Sequence, residues 1–250
     1  MAAAGAPQAL CQNEFSTRPS TMLPAAMPDS SDQPSDGPAA PPPLRVVADA
    51  AARDAATRKR PKPGERRVQI LQTLAAMLEQ PGADRITTAA LAARLQVSEA
   101  ALYRHFASKA QMFEGLIEFI ESSVFTLVNQ ITEREPDGAE QARRTVVMLL
   151  QFGEKNPGMV RVMVGDALVF EHERLTTRMN QFFDRVEGQL RQSLRASAGD
   201  AGSATPTVDA QALASGLTAL VVGRLQRYAR SGFRRQPTEQ LDMLLARLTA

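Results

Sequence analysis

From about residue 66 onward, apolar residues recur every three or four positions, and no stretch alternates apolar with polar. That period is helical. Val68, Ile70, Leu71, Leu74, Met77 and Leu78 predict an amphipathic helix from about Arg66, ended by Pro81-Gly82. Phe113, Leu116, Ile117, Ile120, Val124, Leu127, Val128 and Ile131 predict a longer one from about Lys109 to Ile131. Further helices are predicted at roughly Ala139 to Glu154, Gly158 to Val169, His172 to Ala196, Val208 to Arg230 and Pro237 to Leu248, separated by breaks containing Pro or Gly. The segment from His172 interleaves charges with Leu175, Met179, Phe182, Val186, Leu190 and Leu194, a pattern too short for a coiled coil and suited to a bundle helix. The fold class is therefore all-α.

Two much shorter helices fall between the first pair, in residues 87–106. Thr87 and Ser98 are N-cap residues that accept a hydrogen bond from an orphan backbone amide, and they mark helix starts eleven residues apart. Leu91, Ala92 and Leu95 give the first helix an apolar face, and Leu102 and Phe106 give one to the second, with Val97 between them. Packing those faces together leaves Ser98, Ala100, Tyr103, Arg104 and His105 on the outer side. There a small methyl can approach a base edge and polar tips can reach phosphates. This is a helix-turn-helix whose second helix is suited to the major groove of duplex DNA. Thr87, Thr88 and Ala101 complete the expected contact surface. Lys109 follows at the next helix start, where its ammonium and the free amides both suit a phosphate oxygen. Gln96 occupies the turn, and a left-handed backbone there costs a non-glycine residue about 1 kcal/mol.

Charge changes the picture upstream of this unit. Nine of the sixteen prolines lie within residues 1–43, in a context poor in large apolar residues, so residues 1–61 are expected to be a disordered tail ending in a basic arm. From Arg53 to Arg67 seven basic residues face two acidic ones, a local balance of +5 in a chain whose total is only +2. Placed beside a helix-turn-helix, Lys62, Arg66 and their neighbours read as a phosphate-contacting arm. Residues 62–123 are then the DNA-binding head and 124–250 a helical dimerisation and partner-binding body.

Catalytic chemistry finds little to use. The chain has two histidines, His105 and His172, and one cysteine, Cys11, far outside the predicted fold. No His-Glu-x-x-His spacing, Gly-rich phosphate loop ending in Lys-Ser/Thr, or serine with a base partner occurs, so no cofactor or metal is expected and action by occupancy is. No apolar run is long enough to span a bilayer and the N-terminus lacks a signal-peptide pattern, which predicts a cytoplasmic protein without a membrane anchor.

The residues Leu102-Tyr103-Arg104-His105-Phe106, Ser108-Lys109 and Phe113 resemble the TetR family of helix-turn-helix proteins. The resemblance is closer to the nucleoid occlusion factors within that family. It runs through Arg85-Ile86-Thr87-Thr88-Ala89, Leu116-Ile117-Glu118-Phe119-Ile120-Glu121, Phe152-Gly153-Glu154-Lys155-Asn156-Pro157-Gly158 and Arg230-Ser231-Gly232-Phe233, covering roughly residues 62–250. It implies a homodimer, with one or more dimers on each palindromic chromosomal site, that antagonises polymers of the tubulin-like division protein FtsZ. It also implies that FtsZ's short tail is held by Phe119, Met148, Gln151, Lys155 and Met159, where a cation beside an apolar groove suits an acidic-hydrophobic peptide.

Dimerisation is also expected mechanically, because one helix-turn-helix reads few base pairs and two read a palindrome. Leu217, Leu220, Val221 and Leu225, with Leu241, Leu244, Leu245 and Leu248, are the expected dimer-packing residues, an intramolecular core being the alternative. Two other functions fit the same fold class. A ligand-responsive repressor would need an apolar pocket with convergent polar groups, for which Arg161, Asp166 and Arg178 are available. An architectural DNA-binding protein would rely on the basic arm and show little sequence preference.

Overall fold

The computed structural model describes residues 64–80 and 85–248. It is helical in nine segments among those residues, with no strand: α1 (Glu65–Leu78), α2 (Thr88–Arg94), α3 (Glu99–Tyr103), α4 (Lys109–Arg134), α5 (Gly138–Lys155), α6 (Pro157–Met163), α7 (Glu173–Asp200), α8 (Pro206–Arg230) and α9 (Leu241–Leu248), plus a 3₁₀ turn at Asp166–Leu168. The all-α expectation holds. The tail and the arm up to residue 63, including Lys62, lie outside the described residues, whereas Arg66 and Arg67 fall in α1.

Side-chain caps account for the starts. The hydroxyls of Thr87, Ser98 and Ser108 accept from the amides of Ala90 (3.1 Å), Ala101 (3.3 Å) and Gln111 (3.2 Å), each satisfying an orphan donor of α2, α3 or α4. Helix α2 stops in a Schellman motif: the Val97 amide returns to the Ala92 carbonyl and the Gln96 amide to that of Ala93, with Gln96 at φ 54. The turn therefore does take the left-handed backbone. The same motif ends α8, where Gly232 is left-handed and Phe233 folds its ring edge-on against Tyr228 at 5.2 Å.

The body is a bundle whose helix directions follow from its cross-links. Glu114, Glu121 and Thr132 of α4 bond in order to Arg174, Arg178 and Gln189 of α7, so these two helices run parallel, away from the head. Short loops turn α5 and α8 back beside them, so both return toward the head. Leu175, Met179, Phe182, Val186, Leu190 and Leu194 of α7 are all buried inside one protomer, which makes α7 a bundle helix, as its short apolar repeat predicts.

Two apolar assignments change. Val68 is 47 % exposed, because the thin α1–α2–α4 head is filled by Ile70, Leu74 and Leu78 and leaves no neighbour for it. Leu217, Val221, Leu225, Leu241 and Leu245, expected to pack a second subunit, are instead buried within the protomer against the rest of the bundle. The face that α8 presents outward carries Ala212, Ser215, Gly216, Ala219 and, half-buried, Val222 and Gly223, while α9 exposes Met243 and Leu248.

Head and body are joined tightly. Helix α4 runs unbroken through residues 123 and 124, so the two parts share it. Gly158, in the first turn of α6, lies against α1 so closely that a Cβ would collide with the Ala75 carbonyl oxygen. Its amide donates to the Glu79 carboxylate, whose pKa burial nonetheless raises. No described helix is long and apolar enough to cross a membrane, and no described group of His, Cys, Asp and Glu is arranged to hold a metal ion.

Candidate DNA interface and partner-facing groove

Only five residues, Glu99–Tyr103, form the recognition helix, and each end is fixed by a specific contact. At its start Thr88 donates its hydroxyl to Glu99 Oε2 at 2.6 Å, tying α2 to α3. At its end the Arg67 guanidinium donates to the His105 carbonyl at 2.9 Å and lies 4.1 Å from the Phe106 ring centre, locking the helix onto α1. Arg67, counted with the basic arm from its neighbours, is therefore a structural residue. Below, Leu102 and Phe106 are buried; outside, Ser98, Ala100, Tyr103 (46 %), Arg104 and His105 are exposed and Ala101 is half-exposed. A rigid platform carries a small-residue and polar face, the arrangement that fits a major groove. Arg104 caps the helix and His105 lies just beyond it, so both sit at the rim, where phosphates are found.

Thr87 is exposed with its hydroxyl engaged as the cap of α2, and Thr88 is spent on Glu99. Arg66 is half-buried and donates to Gln69 at 2.7 Å. Lys109 stands at the start of α4, as the apolar period predicts, yet its ammonium is paired with Glu171 from the segment before α7 and lies 5.7 Å from the Phe113 ring. Spacing along the chain gives no sign of that pair, because its partners are 62 residues apart.

The second candidate surface lies on α4 and α5. Phe119 and Met148 are half-buried against the core, while Gln151 and Lys155 on the same side of α5 are exposed. Glu154, next to Lys155, turns the other way and accepts both the amide (3.1 Å) and the hydroxyl of Thr238. Met148, Gln151 and Lys155 follow one side of α5, with the cation at its end, and Phe119 of α4 packs against the same core. Met159 does not join them. Pro157 turns the chain into α6, which carries Met159 into the core, where it is 3 % exposed.

Of the polar groups available for a ligand pocket, Arg178 is consumed by Glu121 through two bonds of 2.6 and 3.1 Å, and Arg161 lies 5.4 Å from the Phe233 ring. Asp166 opens the 3₁₀ turn. None of the three lines the groove at the end of α8 or the cavity between α7 and α8. Features without a sequence signal include Val169 (70 % exposed) and Phe170 (67 %), an apolar pair beside Glu171 in a stretch read as the end of a helix.

A recognition helix pinned at both ends and a long shared helix leading into a bundle define a TetR-type helix-turn-helix DNA-binding protein. Comparisons agree: residues 70–116 match the family model described as bacterial regulatory proteins, tetR family, and residues 140–249 match that of a tetracyclin repressor-like C-terminal domain. Among solved structures the fold is similar to the transcriptional regulator FadR from Bacillus subtilis in complex with stearoyl-CoA. That likeness has a TM-score of 0.58 at 12 % identity, over 73 % of this chain and 97 % of that one. It is similar also to the ketosteroid transcriptional regulator KstR2 of Mycobacterium tuberculosis (TM-score 0.57, 20 % identity, 74 % and 94 %). At such identities the likeness is one of fold. Sequence relatives go further. The chain is 53 % identical over 182 residues to the nucleoid occlusion factor SlmA of Photobacterium profundum, covering 72 % of this chain and 92 % of the relative. It is 51 % identical over 186 residues to that of Vibrio cholerae, covering 74 % and 94 %. The chain belongs to the SlmA family of nucleoid occlusion factors.

Proposed function

We propose that this chain binds palindromic chromosomal sites as a homodimer and, when bound, antagonises FtsZ polymers, holding the division ring away from the nucleoid. The observation that carries the FtsZ reading lies on α4 and α5: Phe119 and Met148 offer apolar contact and the exposed Lys155 a cation for an acidic-hydrophobic tail. Dimerisation is supported by the outward face of α8, whose Ala212, Gly216, Ala219 and Gly223 let a second helix approach closely, and by the exposed Met243 of α9. Thr87, Thr88, Ser98, Ala100, Ala101, Tyr103, Arg104 and His105 form or position the DNA-reading surface, with Lys109, Arg66 and Lys62 supplying phosphate contacts. In a nucleoid-bound state the protein acts by occupancy and uses no cofactor.

Light scattering and sedimentation of FtsZ with the protein alone, with a site duplex and with a scrambled duplex test this. Depolymerisation strengthened only by the site duplex is expected. No effect of the site-bound dimer on FtsZ would leave a repressor acting at its operators.

A further inference from the structure

Helix α8 returns toward the head, and its last two turns and following loop carry five arginines in twelve residues, Arg224 to Arg235, with no acidic residue among them. This end of the body is close to the head: Phe233 lies against Arg161 of α6, and Tyr228 at the end of α8 feels the charges of Glu154 and Glu79. Gly158 of α6 in turn lies against α1.

The five side chains are not alike. Arg224 is structural, donating to the carbonyls of Pro237 (2.7 Å) and Glu239 (2.8 Å), and so fixes the loop beneath the others. Arg234 donates its Nε to the Ser231 carbonyl at 3.0 Å, which leaves the terminal nitrogens outward. Arg227, Arg230 and Arg235 are exposed, and their guanidinium groups make no ion pair or hydrogen bond with a described residue. A groove of about 360 Å³, walled by Arg224, Arg227, Arg235, Gln236 and Glu239, opens between the helix end and the loop. Cations at a helix C-terminus complement its dipole, which explains Arg227 and Arg230. It does not explain Arg234 and Arg235, which lie beyond the helix on a loop that Arg224 and a Schellman motif hold in place.

We propose that Arg227, Arg234 and Arg235 form a second phosphate-binding surface for duplex DNA, separate from the recognition helix and from the basic arm. Guanidinium groups are the side chains best matched to phosphate oxygens, and Arg227 and Arg235 on the groove, with Arg234 on the same braced loop, suit adjacent phosphates without reading bases. Duplex DNA is favoured over other polyanions by position, because the body end that carries the arginines is the one the DNA-reading head adjoins. The proposal rests on the DNA-binding reading of the head.

Full-length R227Q/R235Q is titrated by fluorescence anisotropy, over a range of salt, against a site duplex recovered by footprinting on chromosomal DNA and against its scrambled counterpart. Y103A serves as the comparison. The expected result is about tenfold weaker binding of both duplexes at moderate salt, with the salt slope shallower by about 0.9 for each phosphate no longer neutralised. Y103A should weaken the site duplex alone. Wild-type-like affinity and slope in R227Q/R235Q, with site preference intact, would overturn the proposal. Absence of site preference in the wild-type protein would instead overturn the reading of the head. Unchanged DNA binding combined with abolished sedimentation with FtsZ, or abolished flotation with phosphatidylglycerol vesicles, would assign the surface to another polyanion and also overturn the proposal. Thermal melting and sedimentation equilibrium verify a folded dimer, and R234Q, altering a single exposed side chain, repeats the test if the double variant is unstable.

Discussion

Replacing Glu171 by Gln should make the protein bind DNA more tightly. Lys109 opens α4 beside the recognition helix, where a phosphate is its natural partner, yet its ammonium is held by Glu171. The side chains of the pair are 26 % and 9 % exposed, so the interaction is partly shielded from solvent and amounts to about 1 kcal/mol, the upper end for exposed pairs. A phosphate that recruits Lys109 must overcome that attraction, and removing it raises affinity about fivefold. Folded stability moves the other way, by about 1 kcal/mol, or a melting temperature lower by about 2–4 °C. The assay is a double-mutant cycle in anisotropy titrations at fixed salt: wild type, K109Q, E171Q and the double variant. Loss of a negative charge near DNA also helps any polyanion at long range, and the cycle removes that contribution because it survives in the K109Q background. An E171Q gain equally large in K109Q, or no gain at all, would refute the competition between carboxylate and phosphate for Lys109.

Gln96 holds a left-handed backbone at φ 54, so Gln96→Gly should be more stable than Gln96→Ala by about 1 kcal/mol in urea denaturation, glycine's larger unfolded-state entropy offsetting part of the relieved strain. Equal stability of the two variants would show that the turn relaxes. Gly158→Ala drives a methyl into the Ala75 carbonyl oxygen and should cost about 1–3 kcal/mol, read as a lower melting temperature with helix content retained. Hydrogen bonds from Arg143 and Arg144 hold the Glu140 pKa down to about 2. A depressed carboxylate contributes stability above its unfolded pKa, and that contribution is lost as pH falls through the folded value. Glu140→Gln should therefore lower the melting temperature slightly at pH 6, by about 1–2 °C for so solvent-screened a cluster, with the gap to wild type closing between pH 4.5 and 2. A gap that widens on acidification would contradict this sign.

What can be read along the chain is local. The caps Thr87, Ser98 and Ser108 act within four residues of themselves, and the α7 stripe repeats every turn, so residue type and spacing specify both. The left-handed turn at Gln96 follows from the helix-turn-helix geometry that the caps define. Contacts between distant segments leave no such mark. Arg67 reads as one more cation of a basic arm, but its partner is a carbonyl 38 residues away. Leu217 and Val221 are recognisably apolar, yet whether their neighbour is α7 or a second subunit depends on which way α8 returns, and periodicity carries no direction. Met159 departs from expectation for a related reason: it lies four residues beyond Lys155, but the chain breaks at Asn156-Pro157 and the new helix α6 carries it into the core. The arginines beyond α8 are visible as a run but acquire meaning only because the bundle brings them back to the head.

That return also bears on how DNA binding and the partner groove are connected. Lys109 begins α4 and Phe119 lies ten residues further along the same unbroken helix, about 15 Å by the helical rise, so the end proposed to meet phosphate and the residue proposed to meet FtsZ belong to one rigid element. The body holds that element through Glu171, Arg174 and Arg178, all from one short stretch around the start of α7. A phosphate that takes Lys109 from Glu171 removes the end link of this series and leaves the Glu114–Arg174 and Glu121–Arg178 pairs in place. The Glu114–Arg174 and Glu121–Arg178 pairs are then the ion pairs that still tie α4 to α7, so a coupling carried by this row is tested by removing one of them. Arg174→Gln, which removes the pair nearest the freed end, should increase FtsZ depolymerisation without DNA while leaving the recognition surface untouched. Light scattering of FtsZ with this variant in the absence of duplex measures that directly. Activity no greater than wild type without DNA, with unchanged activity on the site duplex, would place the coupling elsewhere than in this row of ion pairs.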